Sequence, residues 1–149
     1  MHSYQKKLAL TILIFSILGV FVSAYATYQH YRPSGRSFCN LNNVVSCDIV
    51  NKSKYSEIAG IPVAIIGIIG YLVLAGLAGM LLTRRKEHMG RPALVILSGG
   101  ALLFSFYLTF VEFFWLGALC LLCITSQIII LLIFITSLML WRTSSKSPA

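Results

Sequence analysis

Four runs of apolar residues dominate this 149-residue chain, and each is close to or beyond the ~20 residues needed to cross a ~30 Å hydrocarbon layer. They cover roughly 8–28, 61–82, 92–116 and 117–141, and the one charged residue inside any of them is Glu112, in the third. Lipid offers no hydrogen bonds to a peptide backbone, so a run of this length must close its own as a helix. The expected fold class is an all-α membrane protein, a four-transmembrane-helix bundle, with residues 1–149 forming one integral membrane domain. Composition supports this: 58% of residues are apolar and 11% are charged, against about 25% charged in soluble domains.

The formal charge of +8 raises nucleic acid as a partner, but its distribution argues for topology instead. Lys6 and Lys7 precede the first span, Arg84, Arg85, Lys86 and Arg91 sit in the second connection, and Arg142 and Lys146 follow the last span. Those eight face Arg32, Arg36, Lys52 and Lys54 in the long first loop, 29–60, on the other side. The positive-inside rule then puts both termini in the cytoplasm and loop 29–60 outside a cell membrane, plasma or inner. Lys6, Lys7, an apolar stretch and Ala24-Tyr25-Ala26 also resemble a cleavable signal peptide. The run is long enough to span, however, and three remaining helices would lack a fourth to close a bundle.

The spans carry glycines at Gly67, Gly70, Gly76, Gly79, Gly99 and Gly100, where close helix approach and the ordinary glycine content of membrane helices are equally good explanations.

The topology places all four cysteines on the outer, oxidising side: Cys39 and Cys47 in the loop, Cys120 and Cys123 in the first turns of the fourth span. A Cys-x-x-Cys pair in a helix holds its Cα atoms about 5–6 Å apart on one face, within disulfide range. If 40–50 is a short amphipathic helix, as Leu41, Val44, Val45 and Ile49 suggest, a straight helix separates Cys39 from Cys47 by about 12 Å, too far for a disulfide. Pairing them then requires the loop to bend or unwind, and a loop that changes shape is expected. Other uses of four cysteines remain: static disulfides, packing thiols, or a Cys₄ zinc site, against which the seven-residue gap between Cys39 and Cys47 argues. A soluble thioredoxin-type motif is excluded because this Cys-x-x-Cys is embedded in a span.

Cys39 and Cys47, Ser53 six residues on, Gly60-Ile61-Pro62 with Gly67 entering the second span, and Cys120-Leu-Leu-Cys123 heading the last together resemble the vitamin K epoxide reductase family, in its short bacterial or archaeal form. The resemblance covers most of the chain. It implies a quinone-dependent thiol–disulfide oxidoreductase that supports disulfide formation in exported proteins. A reduced thioredoxin-like partner, similar to DsbA in role, would attack the loop disulfide at Cys39; freed Cys47 would attack Cys120; released Cys123 would pass electrons to a membrane quinone. Each protein step is thiol–disulfide exchange through a mixed disulfide. The chain after the fourth span is short, so the implied partner is a separate protein. Animal members have a tyrosine four residues after the second membrane cysteine and an asparagine entering the second span. Here Gln127 and Val63 stand there, so a plain menaquinone or ubiquinone is implied rather than epoxide reduction, with no metal.

Two candidate quinone-binding residues stand beside the cysteines. Ser53 is positioned by the resemblance to donate a hydrogen bond to a quinone carbonyl or a thiolate, although most loop serines serve the local backbone. Glu112, an ionisable residue within a span, is a candidate proton relay, or else an interfacial group solvated beside Trp115. Phe113, Phe114, Trp115, Tyr107 and Tyr71 would line a quinone pocket, and an aromatic interfacial belt explains the first three just as well. His30 reads as an interface residue. The alternative from another class is a small proton-coupled exporter using Glu112, but such a carboxylate belongs near the bilayer midplane and Glu112 is near one end.

Overall fold

The computed structural model describes residues 3–33, 40, 45–83 and 87–146. The four apolar runs form four long helices: α1 Ser3–Tyr31, α3 Val63–Leu82, α4 Glu87–Val111 and α5 Leu121–Ser145. A short helix, α2 Cys47–Asn51, lies in the first loop. Each long helix is long and apolar enough to cross a membrane. Large apolar side chains such as Phe21, Ile96 and Leu103 are largely exposed, while the interior holds the fully buried Ser16, Ser98 and Ser137 beside Ile12, Leu94 and Ile133. Large side chains face lipid, and small ones let helices approach. Each buried serine returns its hydroxyl to the carbonyl one turn back, Ser16 to Ile12 at 2.7 Å, Ser98 to Leu94 at 2.5 Å and Ser137 to Ile133 at 2.7 Å, so burial leaves no orphaned donor.

The small residues that matter most lie on α1. Ala9, Ile12, Ser16, Gly19, Ser23 and Ala26 are buried at alternating spacings of three and four, which draws one stripe along the helix. The ring of Tyr71 fills the space over Gly19, where an added Cβ would lie 2.4 Å from the ring, and Gly67 meets Ser23 Oγ at 2.9 Å from such a Cβ. Tyr71 then reaches across the bundle, donating its hydroxyl to the Ser126 carbonyl at 2.9 Å, with Ser126 Oγ at 2.8 Å. One side chain thereby joins α1, α3 and α5. Of the glycines singled out in the sequence, Gly67 and Gly99 pack against neighbours, whereas Gly70, Gly76, Gly79 and Gly100 have nothing within 4 Å of an added Cβ.

At the end of the bundle carrying the second connection, Arg91 is buried and lies within α4, not in a loop before a span beginning at Pro92. Glu87, one turn earlier, meets its guanidinium at 3.2 Å and offsets the charge. Arg91 also donates to Ser144 Oγ of α5 and to Gln5 Oε1 of α1 at 3.4 Å, clamping three helices at this end.

The opposite end holds the loop. After α2, a 3₁₀ turn at Lys54–Ser56 leads to a two-stranded antiparallel hairpin, β1 Glu57–Ile58 and β2 Ile61–Pro62. Ala59 (φ 53°) and Gly60 (φ 81°) form its two-residue turn, and positive φ at both positions gives a turn whose hand matches strand twist. α4 and α5 do not abut at residue 117. The chain passes through a π-helical turn, Glu112–Leu116, stops at left-handed Gly117 (φ 62°), and α5 begins only at Leu121. Residues 117–120 form a short connection there, and the loop docks on it: Val45 forms a parallel bridge with Leu119, and the Ser46 N–H donates to the Leu119 carbonyl at 3.0 Å. This corrects the expected 40–50 helix, since residues 45 and 46 give their backbone to Leu119 and the helix starts at Cys47; residues 41–44 lie outside the described residues.

Candidate functional site

The docking of the loop on residues 117–120 sets two cysteines face to face. Cys47 opens α2 two residues after the bridged Val45, and Cys120, the N-cap of α5, directly follows Leu119. Both side chains are fully buried, packed with Val50 and Ala118. Their sulfurs are 3.6 Å apart. That is contact between non-bonded atoms; forming an S–S bond of about 2.05 Å requires closing by roughly 1.5 Å.

Cys120 has extended backbone (φ −107°, ψ 117°), and its Sγ accepts the Cys123 N–H at 3.3 Å. It therefore fills the capping role usually taken by Ser, Thr, Asp or Asn. Cys120 and Cys123 are free thiols, whereas Cys47 is disulfide-bonded. Cys39 lies outside the described residues.

Cys123 leads from this contact into the bundle. It lines a cavity of about 360 Å³ whose walls come from all four long helices and the loop, and which is mostly apolar. This size and character suit a small, largely apolar organic molecule, since ligand sites begin near 300 Å³ and are lined mainly by apolar groups. Glu112 shares the lining. It is only 3% exposed, its carboxyl interacts with the Cys123 thiol and the Cys120 backbone, and its Oε2 has no hydrogen-bond partner. The solvated alternative beside Trp115 is thereby overturned: the π-helical turn points Glu112 inward while Phe113, Phe114 and Trp115 point out.

Ser53 also lines the cavity, but its hydroxyl donates to the Val50 carbonyl at 2.9 Å, closing the end of α2. In this arrangement it can offer a ligand only its lone pairs. Of the aromatics expected at a pocket, Tyr71 lines it, whereas Tyr107, Phe113, Phe114 and Trp115 are exposed. Trp115 instead stacks edge-on with Tyr55, ring centres 5.8 Å apart, and Tyr55 reaches the cavity. Val63 is on the wall, and Gln127 accepts a hydrogen bond from Thr109 at 2.6 Å, linking α4 to α5. His30, given no role from the sequence, lines the loop end of the cavity and meets Glu57 Oε1 at 3.0 Å. Its position was signalled: Ala9, Ser16, Ser23 and His30 stand seven residues apart on α1. Among the described residues no group of three or more His, Cys, Asp or Glu is placed to hold a metal ion.

The fold and site define a four-helix bundle of membrane-spanning length that seats a cysteine contact at one end, beside a mostly apolar cavity. The family model described as Vitamin K epoxide reductase family matches residues 10–138, most of the chain, and the chain belongs to that family.

Proposed function

We propose that this chain is a membrane thiol–disulfide oxidoreductase that reoxidises a separate thioredoxin-like partner of DsbA type and passes the electrons to a membrane quinone, so supporting disulfide formation in exported proteins. The observation that carries this reading is the 3.6 Å contact of Cys47 and Cys120 beside a cavity lined by Cys123. A partner thiolate attacks Cys39 of a Cys39–Cys47 disulfide, forming a mixed disulfide and freeing Cys47. The partner's second thiol resolves the mixed disulfide and leaves oxidised. Cys47 attacks Cys120 of a Cys120–Cys123 disulfide, releasing Cys123, and Cys39 then displaces Cys120 from Cys47 to restore the loop pair. An arrangement in which Cys47 is disulfide-bonded while Cys120 and Cys123 are both thiols fits the stage at which electrons have left the loop. Oxidation of Cys120 and Cys123 back to their disulfide delivers two electrons to the quinone bound in the cavity, a menaquinone, ubiquinone or relative. Among the polar groups of the wall, we assign Tyr71, Ser53 and Glu112 to orienting its ring.

The basic residues at the far end support cytoplasmic termini, with the cysteines on the outer face of the plasma or inner membrane, where disulfides persist. The exporter reading is less well supported, because Glu112 sits against Cys123 at the loop end rather than at mid-bundle.

The test mixes purified protein with a reduced thioredoxin-like protein and a short-chain ubiquinone. Quinone reduction by the native chain, lost in Cys123→Ser, is the expected result; full activity without Cys120 or Cys123 would falsify the proposal. Trapping a mixed disulfide on Cys39 in Cys47→Ser checks the order of transfer.

A further inference from the structure

We propose that Glu112 is the proton carrier between the Cys123 thiol and the electron acceptor in the cavity, a catalytic residue of the quinone-reducing half-reaction. The inference rests on the quinone reading above. Glu112 is nearly fully buried at the turn between α4 and α5, its carboxyl interacts with the Cys123 thiol, and it lines the same cavity. Its Oε2 has no hydrogen-bond partner. A carboxyl held in an apolar wall with one oxygen unsatisfied is costly to the fold, and a group retained at such a cost beside a reacting thiol fits a role in the reaction.

The chemistry needs such a carrier. When two thiols become a disulfide they give up two electrons and two protons, and a quinone takes up two of each in becoming a quinol. As the Cys120–Cys123 bond forms, electrons leave through Cys123 Sγ, and its proton passes to Glu112 and from there to an oxygen of the acceptor. The carboxylate so regenerated takes the second proton, from Cys120, whose backbone it also contacts. No bulk water is required in the apolar cavity. The titratable groups facing Glu112 are the Cys123 and Cys120 thiols, with Tyr71, Tyr55 and His30 elsewhere on or beside the cavity wall.

The experiment compares the full-length native chain, Glu112→Gln and Glu112→Asp in two assays: reduction of a short-chain ubiquinone, and stoichiometric oxidation of a reduced thioredoxin-like protein with no quinone present. General acid–base groups contribute about 10²–10⁴-fold, so Glu112→Gln is expected to lower quinone reduction by at least about 100-fold and to flatten its pH profile. Partner oxidation without quinone stays close to native, and Glu112→Asp recovers a pH-dependent part of quinone reduction. Quinone reduction by Glu112→Gln at the native rate and with the native pH profile overturns the inference. Should Glu112→Gln lose partner oxidation too, it has lost its fold, and the decision falls on Glu112→Asp, for which a native rate with a flattened pH profile is the overturning result. A native chain that oxidises the partner but reduces no quinone instead defeats the quinone reading itself, a different outcome.

Discussion

The sulfurs of Cys47 and Cys120 stand 3.6 Å apart although 73 residues of chain separate them. The contact is built by backbone: Ser46 donates to Leu119, immediately before each cysteine, so the two residues that follow are presented to each other. A thiol–disulfide relay needs this approach, because exchange proceeds only by direct attack of sulfur on sulfur.

Replacing Cys120 by serine removes the sulfur that Cys47 meets but keeps an oxygen able to cap α5. Partner-dependent quinone reduction is expected to fall on the order of 10³-fold or more, as for loss of a reacting nucleophile. Helix content and melting temperature should change little by circular dichroism; a variant that keeps its rate would show that the relay does not pass through this residue.

Gly19→Ala places a methyl group 2.4 Å from the Tyr71 ring, within a close-packed seam. Overpacking of this kind costs about 1–3 kcal/mol. Gly76→Ala meets nothing within 4 Å and should be neutral or slightly stabilising, since alanine is the better helix former. Thermal unfolding in detergent separates the two; equal melting temperatures would mean that α1 and α3 do not pack this way.

Tyr71→Phe keeps the ring over Gly19 and deletes only the hydroxyl that reaches Ser126. The expected loss is about 0.5–1.5 kcal/mol, with Ser126 left partly unsatisfied. Because Tyr71 also lines the cavity, a quinone titration alongside the melt shows whether ligand affinity moves with stability.

Arg91→Ala unties the clamp to Glu87, Gln5 and Ser144. Charged hydrogen bonds contribute roughly 1.5–3 kcal/mol each, so stability should drop by at least that amount. The clamp is at the end opposite the cysteines, so thiol exchange with the partner in folded variant protein should match native rates; a selective loss of exchange at unchanged stability contradicts the assignment of Arg91 to structure.

Incubation with a strong chelator such as EDTA is expected to leave partner oxidation unchanged, because the proposed relay uses the cysteines as redox groups and not as metal ligands. Inactivation by the chelator, reversed by zinc, would revive the Cys₄ metal reading.

The number, length and helicity of the spans were legible because hydropathy needs only composition along the chain. The family was legible in the spacing of the four cysteines. The bundle's packing was not, because glycines on α3 draw the eye whereas the seam is the less conspicuous series Ala9, Ser16, Ser23 and Ile12, Gly19, Ala26 on α1. The heptad spacing was present to be read. The inward turn of Glu112 was hidden for a different reason: it depends on one π-helical turn ended by Gly117, a local irregularity with no hydropathy signature. Ser53 shows the reverse limit, since its family position pointed to ligand binding while its hydroxyl proton goes to Val50.

The bridge between residues 45–46 and 119 acts as a ruler. Main-chain atoms do not change with the side chain, so substitutions at Val45, Ser46 or Leu119 can preserve the sulfur alignment. A single inserted residue between Leu119 and Cys120 cannot, because in extended chain it displaces the sulfur by about 3.3 Å, comparable with the whole gap to be crossed. Among relatives, sequence drift should therefore be accepted more readily at Val45 and Leu119 than at Ser46, whose hydroxyl also donates to Asn40 Oδ1 at 2.9 Å and accepts the Ile49 N–H, and changes of length between the bridge and either cysteine should be rare.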